Sequence, residues 1–207
     1  AANAVATVIS TRALTPVTAI IMGATLNFGG AMMGTAVAKT IGKGIVNPDL
    51  MTQYAVLSAI AASVIWVFFA TRLGLPVSVS HSLVGSGVAV AGWDGLNTAV
   101  VVKVLLALAL SPLLGFVGGF LLMILLFWVL RRRTPAAVNA TGNKLQILSA
   151  AFLSFSHGRN DGQNAMGIIA LAWVVYQTHR LGTPQELEIT SWMILLASIT
   201  IGLGTGL

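Results

Sequence analysis

The chain has 207 residues, of which 57% are hydrophobic and only 8% charged, with a net charge of +6 and a mean hydropathy of +0.92. Soluble domains carry about a quarter charged residues, so this composition excludes a water-soluble domain and indicates an integral membrane protein. The basic excess sits at the ends of apolar runs, as in Arg131-Arg132-Arg133, which fits the positive-inside bias of membrane segments and not a nucleic-acid surface; the absence of cysteine excludes disulfides and thiolate metal sites.

Ala1–Ser10 is a small-residue segment carrying Asn3 and Thr7, and Thr11–Pro16 is a connection with Arg12 at the interface. A spanning helix needs roughly 20 apolar residues, and Val17–Ala38 is the first candidate. Its four glycines (Gly23, Gly29, Gly30, Gly34) suit close packing against other helices better than contact with lipid. After the basic, glycine-containing loop Lys39–Pro48, a second span covers Thr52–Ala70 and ends in Trp66, Phe68 and Phe69 at a membrane interface.

Gly74-Leu-Pro-Val-Ser-Val-Ser-His-Ser-Leu-Val-Gly-Ser-Gly-Val88 is too polar for a simple span and too apolar for an exposed loop. Irregular backbone at membrane depth survives only where protein buries it or water lines it, so a re-entrant or broken helix is expected here. Val104–Leu130 is one long span, about 40 Å as a helix against a hydrocarbon core of roughly 30 Å, with a kink expected at Ser111-Pro112 and Gly115. Arg131–Lys144 is a polar linker whose four positive charges place it in the cytoplasm. It divides the chain into a first transmembrane repeat (1–130), the linker (131–144) and the start of a second repeat (145–207), with further spans around Leu145–Tyr176 and Ser191–Leu207.

A weak internal repeat supports that division. Ala2-Asn3-Ala4 aligns with Gln163-Asn164-Ala165, and Met33-Gly34-Thr35 with Leu203-Gly204-Thr205. Paired interrupted segments in corresponding halves point to a transporter binding site. Both ends read as cut within apolar segments, so the chain is expected to be part of a longer molecule.

Two polar clusters interrupt this apolar chain. Phe155-Ser-His-Gly-Arg-Asn-Asp-Gly-Gln-Asn-Ala165 holds Asp161, one of only five acidic residues. Ionisable residues at membrane depth are costly and usually mark a substrate or ion path. If a helix breaks here, its new N-terminal amides favour an anion, while Asp161 would hold a cation, Na⁺ or H⁺. Asn160 and Asn164 offer carbonyl oxygens to a cation or amide donors to an oxyanion. The competing reading is an interfacial loop with a solvated Arg159–Asp161 pair.

The second cluster is Ser78-Val-Ser-His-Ser82 with Gly85, Ser86 and Gly87, which donates hydrogen bonds without adding negative charge, as an oxyanion requires. The competing reading has the serines bonded to their own helix backbone. His81 and His157 are candidate proton relays, whereas His179 reads as a surface loop residue. A catalytic metal site is poorly supported: there is no HExxH, no second carboxylate near Asp161 and no cysteine.

These motifs, together with Ala1-Ala-Asn-Ala-Val-Ala-Thr-Val-Ile-Ser-Thr-Arg-Ala13, resemble the inorganic phosphate transporter (PiT) family, closest to its bacterial low-affinity permeases, in family order over the whole chain. The resemblance implies an all-α polytopic transporter with inverted repeats and broken or re-entrant helices, not an enzyme. Such a protein would move inorganic phosphate, in some relatives as a metal–phosphate complex, by symport with Na⁺ or H⁺ and without a cofactor. By position, Asn160, Asp161 and Asn164 match the second signature of the family, and Asn3 matches the asparagine of the first. Ser78, Ser80 and His81 match its hydroxyl segment, in which Val79 replaces a residue that is often a threonine donor. The implied phosphate contacts are therefore Ser78, Ser80, His81, Asn3 and Asn164, and the coupling cation falls to Asp161, Asn160, Asn3 and Asn164. A bacterial inner membrane is the implied setting, with the lipid bilayer as surroundings and a homo-oligomer left open. A sulfate permease of the same family and, from another class, a membrane-embedded enzyme on lipid phosphates are the alternatives. The latter needs a nucleophile beside a base, and Ser80 and His81, adjacent on a helix, point apart.

Overall fold

One helix, α7 (Pro135–Leu181, 47 residues), forms the spine of the computed structural model and is about 70 Å long at 1.5 Å per residue. The structure describes residues 2–44, 51–75, 77–92, 96–183 and 185–206, with the side chains of residues 2, 3, 43 and 44 outside that description. The side chain of Asn3, all of Pro76, Asp49 and Asp94, and the second half of the expected basic loop therefore lie outside the described residues.

Among the described residues seven further helices accompany the spine: α1 (Ala2–Ser10), α2 (Pro16–Ala31), α3 (Ala36–Lys39), α4 (Gln53–Arg72), α5 (Val79–Ala91), α6 (Thr98–Leu130) and α8 (Ser191–Gly206). A π-helical turn, Thr40–Gly44, extends α3. Side-chain caps start several of them. Thr15, Thr52, Ser78, Asn97 and Thr134 each accept a hydrogen bond from an amide of the first turn of the helix that follows, satisfying one of the donors a helix leaves unpaired at its N-terminus. Pro16 and Pro135 stand at the first helical position, where the missing N–H costs nothing.

The expected spans are largely present, and the fold is all-α. α4 lies within two residues of the span expected over Thr52–Ala70. α6 and α4 are each long and apolar enough to cross a membrane. Pro112 lies inside α6, which continues to Leu130. Of the expected linker, Arg131–Arg133 turns the chain and residues 135–144 form the first turns of α7.

Two expectations about helix breaks are corrected. The span over Val17–Ala38 is not one helix: α2 and the segment Ala36–Gly42 meet at an angle of 63°. Gly34 sits at φ +100 in that break, a conformation that side chains with a Cβ rarely adopt. Conversely, no break occurs at Ser156–Asn164, which forms continuous helix within α7. Its glycines serve close packing instead. A Cβ on Gly158 would run into the backbone of Asn27, one on Gly162 would lie 2.5 Å from Ala31 Cβ, and one on Gly30 would run into the Phe155 carbonyl. Gly158-Arg-Asn-Asp-Gly162 is thus a small-xxx-small contact that brings α2 and α7 together backbone to backbone.

α4 and α5 form a helical hairpin. Tyr54, near the start of α4, shares a cleft with Tyr176 and Arg180 of α7, while Ser80 in the first turn of α5 reaches Asn164. The hairpin therefore enters from the Arg180 end, and its tip stops beside Asn164, about 24 Å along α7 at 1.5 Å per residue. α5, at 13 residues, is about 20 Å long, too short to cross a 30 Å core, as a re-entrant element should be. Trp173, Tyr176 and Trp192 meet with ring centroids 5.8–5.9 Å apart near the same end, a local aromatic belt.

The buried residues are mostly small, in three clusters around Val8, Ala31 and Val175. No residue of α6 is buried, and Phe116, Phe127 and Leu114 stand largely exposed along it. Such a surface is at home in hydrocarbon, where it has no water to order.

Candidate functional site

The helical spacing of α7 places His157, Asp161 and Asn164 (i, i+4, i+7) on one face. Three elements meet that face: α2, the α2/α3 break and the tip of the α4–α5 hairpin.

From α2 comes Asn27, fully buried. Its Nδ2 donates to the Gly23 carbonyl at 2.8 Å, and its Oδ1 lies 2.8 Å from His157 Nδ1. On the other side of the ring, His157 Nε2 lies 3.3 Å from Asp161 Oδ2. The expected alternative pair between Arg159 and Asp161 is not what forms: Arg159 is exposed, and the partner of Asp161 is the imidazole one turn earlier. Asp161 keeps 31% of its side-chain surface accessible, so a small cation can reach it.

From the break comes the N-terminus of α3. Its Val37 amide donates to Gln163 Oε1 at 2.8 Å, and Gln163 is itself buried. That helix N-terminus is therefore already engaged by a neutral side-chain oxygen. The opening in the fold is real, but it faces α7 and does not interrupt it.

From the hairpin comes the hydroxyl segment. Asn164 Nδ2 donates to Ser80 Oγ at 2.6 Å, joining the two polar clusters that lie 84 residues apart in sequence. Ser78 is the N-cap of α5, its Oγ accepting from the His81 amide at 3.4 Å. The hydroxyls divide between two faces of α5. Ser80 turns to α7, while Ser78, His81, Ser82 and Ser86 line an open cleft of about 510 Å³ shared with Ser63 and Trp66 of α4. Ser82 Oγ donates to the Ser78 carbonyl and Ser86 Oγ to the Leu83 carbonyl, so the reading in which serines serve their own helix holds for those two. His81 and Asn160 are exposed. His179 lies in the last helical turn of α7 and not in a loop.

The arrangement joins an accessible carboxylate to a helix N-terminus rich in hydroxyls through one buried amide. A carboxylate with flanking amide oxygens is a hard-donor set for a small cation. The first-turn amides of α5 with serine hydroxyls suit an oxyanion. Asn164 bonds the hydroxyl segment and lies three residues after Asp161 on the same helix, so a charge placed on one half is felt by the other over a short distance.

Asn27 and Gln163 carry contacts that sequence reasoning did not assign. Asn27 is the lone carboxamide in the apolar run Val17–Ala38, a signal that could have singled it out because a buried amide must find partners.

Comparison with known proteins agrees with this picture. Residues 1–207 match the sequence model of the phosphate transporter family. The chain is 38% identical to a probable low-affinity inorganic phosphate transporter of Bacillus subtilis (strain 168), over 100% of this chain and 62% of the relative. It is 36% identical to a protein of the same description from Rhizobium meliloti (strain 1021), over 99% of this chain and 62% of the relative. A third so described, from Streptomyces halstedii, is 42% identical over 76% of each chain. Among solved structures it resembles one described as the sodium-dependent phosphate transporter, with a TM-score of 0.85 and 27% identity, covering 99% of this chain and 70% of that one. The chain spans about three-fifths (62%) of the length of the first two relatives. A carboxylate face met by a re-entrant hydroxyl hairpin, in an all-helical membrane protein that matches end to end, leads to one assignment: the chain belongs to the phosphate transporter family.

Proposed function

We propose that the protein carrying this chain is a secondary active symporter that moves inorganic phosphate across a membrane with a coupling cation. The observation that carries this reading is the 2.6 Å hydrogen bond from Asn164 to Ser80. It ties the carboxylate face to the hairpin tip, so a cation at one lowers the cost of an anion at the other. Phosphate lies at the N-terminus of α5, contacted by Ser80 and Asn164, with Ser78 and His81 presenting from the adjoining cleft. Asp161 holds the cation, assisted by the oxygens of Asn160 and Asn164. By family position Asn3 is the further candidate for both shells, its side chain lying outside the described residues.

Na⁺ is the favoured coupling ion, supported by the similar structure described as sodium-dependent; H⁺ is the other member of the pair that Asp161 can accept. The bacterial sources of the relatives support a plasma (inner) membrane. Movement of one half against the other alternates access to the site. The α2/α3 break and the hairpin tip are the irregular elements suited to such motion, since both line the polar face.

The test is phosphate uptake by the full-length protein in proteoliposomes under an imposed Na⁺ or pH gradient. Uptake that rises with one gradient and collapses with it supports symport and names the ion. Uptake indifferent to both gradients overturns it. Competition by sulfate in the same vesicles reads the substrate: phosphate uptake unaffected by excess sulfate is the expected result.

A further inference from the structure

Asn27 is fully buried and meets the functional face at His157. Its amide orientation is fixed by chemistry. Nδ2 donates to the Gly23 carbonyl, and a flipped amide would set two acceptor oxygens against each other there. Oδ1 is therefore the atom presented to His157 Nδ1, and as an acceptor it requires a hydrogen on that nitrogen. With Nδ1 committed, Nε2 is the only ring nitrogen facing Asp161, at 3.3 Å from Oδ2. The adjacent backbone holds the chain of contacts rigid: Gly158 and Gly30 let α2 approach α7 so closely that a Cβ on either would meet the partner helix backbone.

We propose that Asn27 is the positioning residue of the coupling-cation site: it fixes the His157 tautomer and ring plane so that Nε2 and Asp161 Oδ2 present one side of that site together. The proposal rests on the reading of Asp161 as the cation-holding carboxylate. Asn27 itself touches neither ion nor phosphate; it acts through His157. It stands to that histidine as the second partner of a ligating histidine stands in metal sites, where removal costs 10–100-fold in metal affinity.

The experiment uses the full-length transporter, with uptake measured against the concentration of whichever cation drives the wild type. Asn27→Leu, close in size but without the acceptor, should raise the half-saturating cation concentration about 10-fold or more. The phosphate KM, taken at saturating cation, should stay near the wild-type value. A variant that was merely misfolded would lose maximal rate without that split. In the double variant with His157→Gln, Asn27→Leu should add nothing further, because its effect passes through the ring.

A second readout does not depend on transport. Histidine-labelled protein, with the His157 signal assigned by its loss in His157→Gln, should show the Nδ1–H tautomer by ¹⁵N resonance. Asn27→Leu should abolish that signature, and Asn27→Asp, which keeps the acceptor, should retain it. An unchanged cation curve in Asn27→Leu, an additive double variant, or a tautomer that ignores position 27 each overturns the proposal. If the wild type proves indifferent to cations while the tautomer result stands, the symport reading fails and the positioning of His157 by Asn27 survives as a separate fact.

Discussion

Replacing Gly162 by alanine tests the packing that places every functional group. The added Cβ would lie 2.5 Å from Ala31 Cβ and 3.1 Å from Ala31 Cα. Carbon atoms rest about 3.5–4.0 Å apart, so α2 must back away from α7 by about 1 Å. Two hydrogen bonds tie α7 to α2 and to the α3 segment that follows it, His157 to Asn27 and Val37 to Gln163, both at 2.8 Å. An added 1 Å or so takes each beyond the range of a hydrogen bond. Overpacking costs about 1–3 kcal/mol and each lost bond about 1 kcal/mol, so the variant should be less stable by about 3–5 kcal/mol. At about 2–4 °C per kcal/mol for chains of this size, the melting temperature should fall by on the order of 10 °C. Gly142→Ala is the control on the same helix, where an added Cβ meets nothing within 4 Å; it should be neutral or stabilising by up to about 1 kcal/mol. The assay is thermal unfolding of the purified full-length protein, followed by tryptophan fluorescence. A Gly162→Ala variant that melts within error of its parent would refute the claim that this glycine sets the α2–α7 distance.

Other substitutions probe the remaining links. Asp161→Asn should abolish cation-driven phosphate uptake while the protein still elutes and melts as a folded species; wild-type uptake by that variant would end the coupling reading. A double-mutant cycle of Asn164→Ala and Ser80→Ala on folding stability should give a coupling of about 0.6–1.7 kcal/mol, the range found for hydrogen bonds between membrane helices, and strict additivity would mean that the 2.6 Å contact contributes nothing. Gln163→Leu removes the acceptor of the Val37 amide and should destabilise the protein by about 0.5–1.5 kcal/mol in the same melting assay. Leu114→Arg, on the exposed face of α6, should raise the cost of membrane insertion by about 2.5–3.5 kcal/mol, read as glycosylation-tagged insertion efficiency; unchanged insertion would argue that this face does not meet lipid.

What the residues alone determined were the quantities set by composition and by local pattern. A chain with 8% charge and long apolar runs cannot leave its backbone unpaired in lipid, so it must be helical. The positions of α4, α6 and α8, the short re-entrant character of α5 and the two polar clusters all follow from where apolar runs stop. Which helix breaks was decided only by tertiary structure. Glycines occur both in α2 and in the Asp161 segment, and a glycine that permits a turn looks the same in sequence as one that lets two backbones touch. Gly34 turns the chain at φ +100, whereas Gly158 and Gly162 stay helical and receive α2. The partner helix makes that distinction, and it lies more than 100 residues away. The same holds for the amides. Their presence was legible, but Asn27 on His157, Gln163 on Val37 and Asn164 on Ser80 are matched across distant segments, because a buried polar group takes its partner from whatever the fold places beside it.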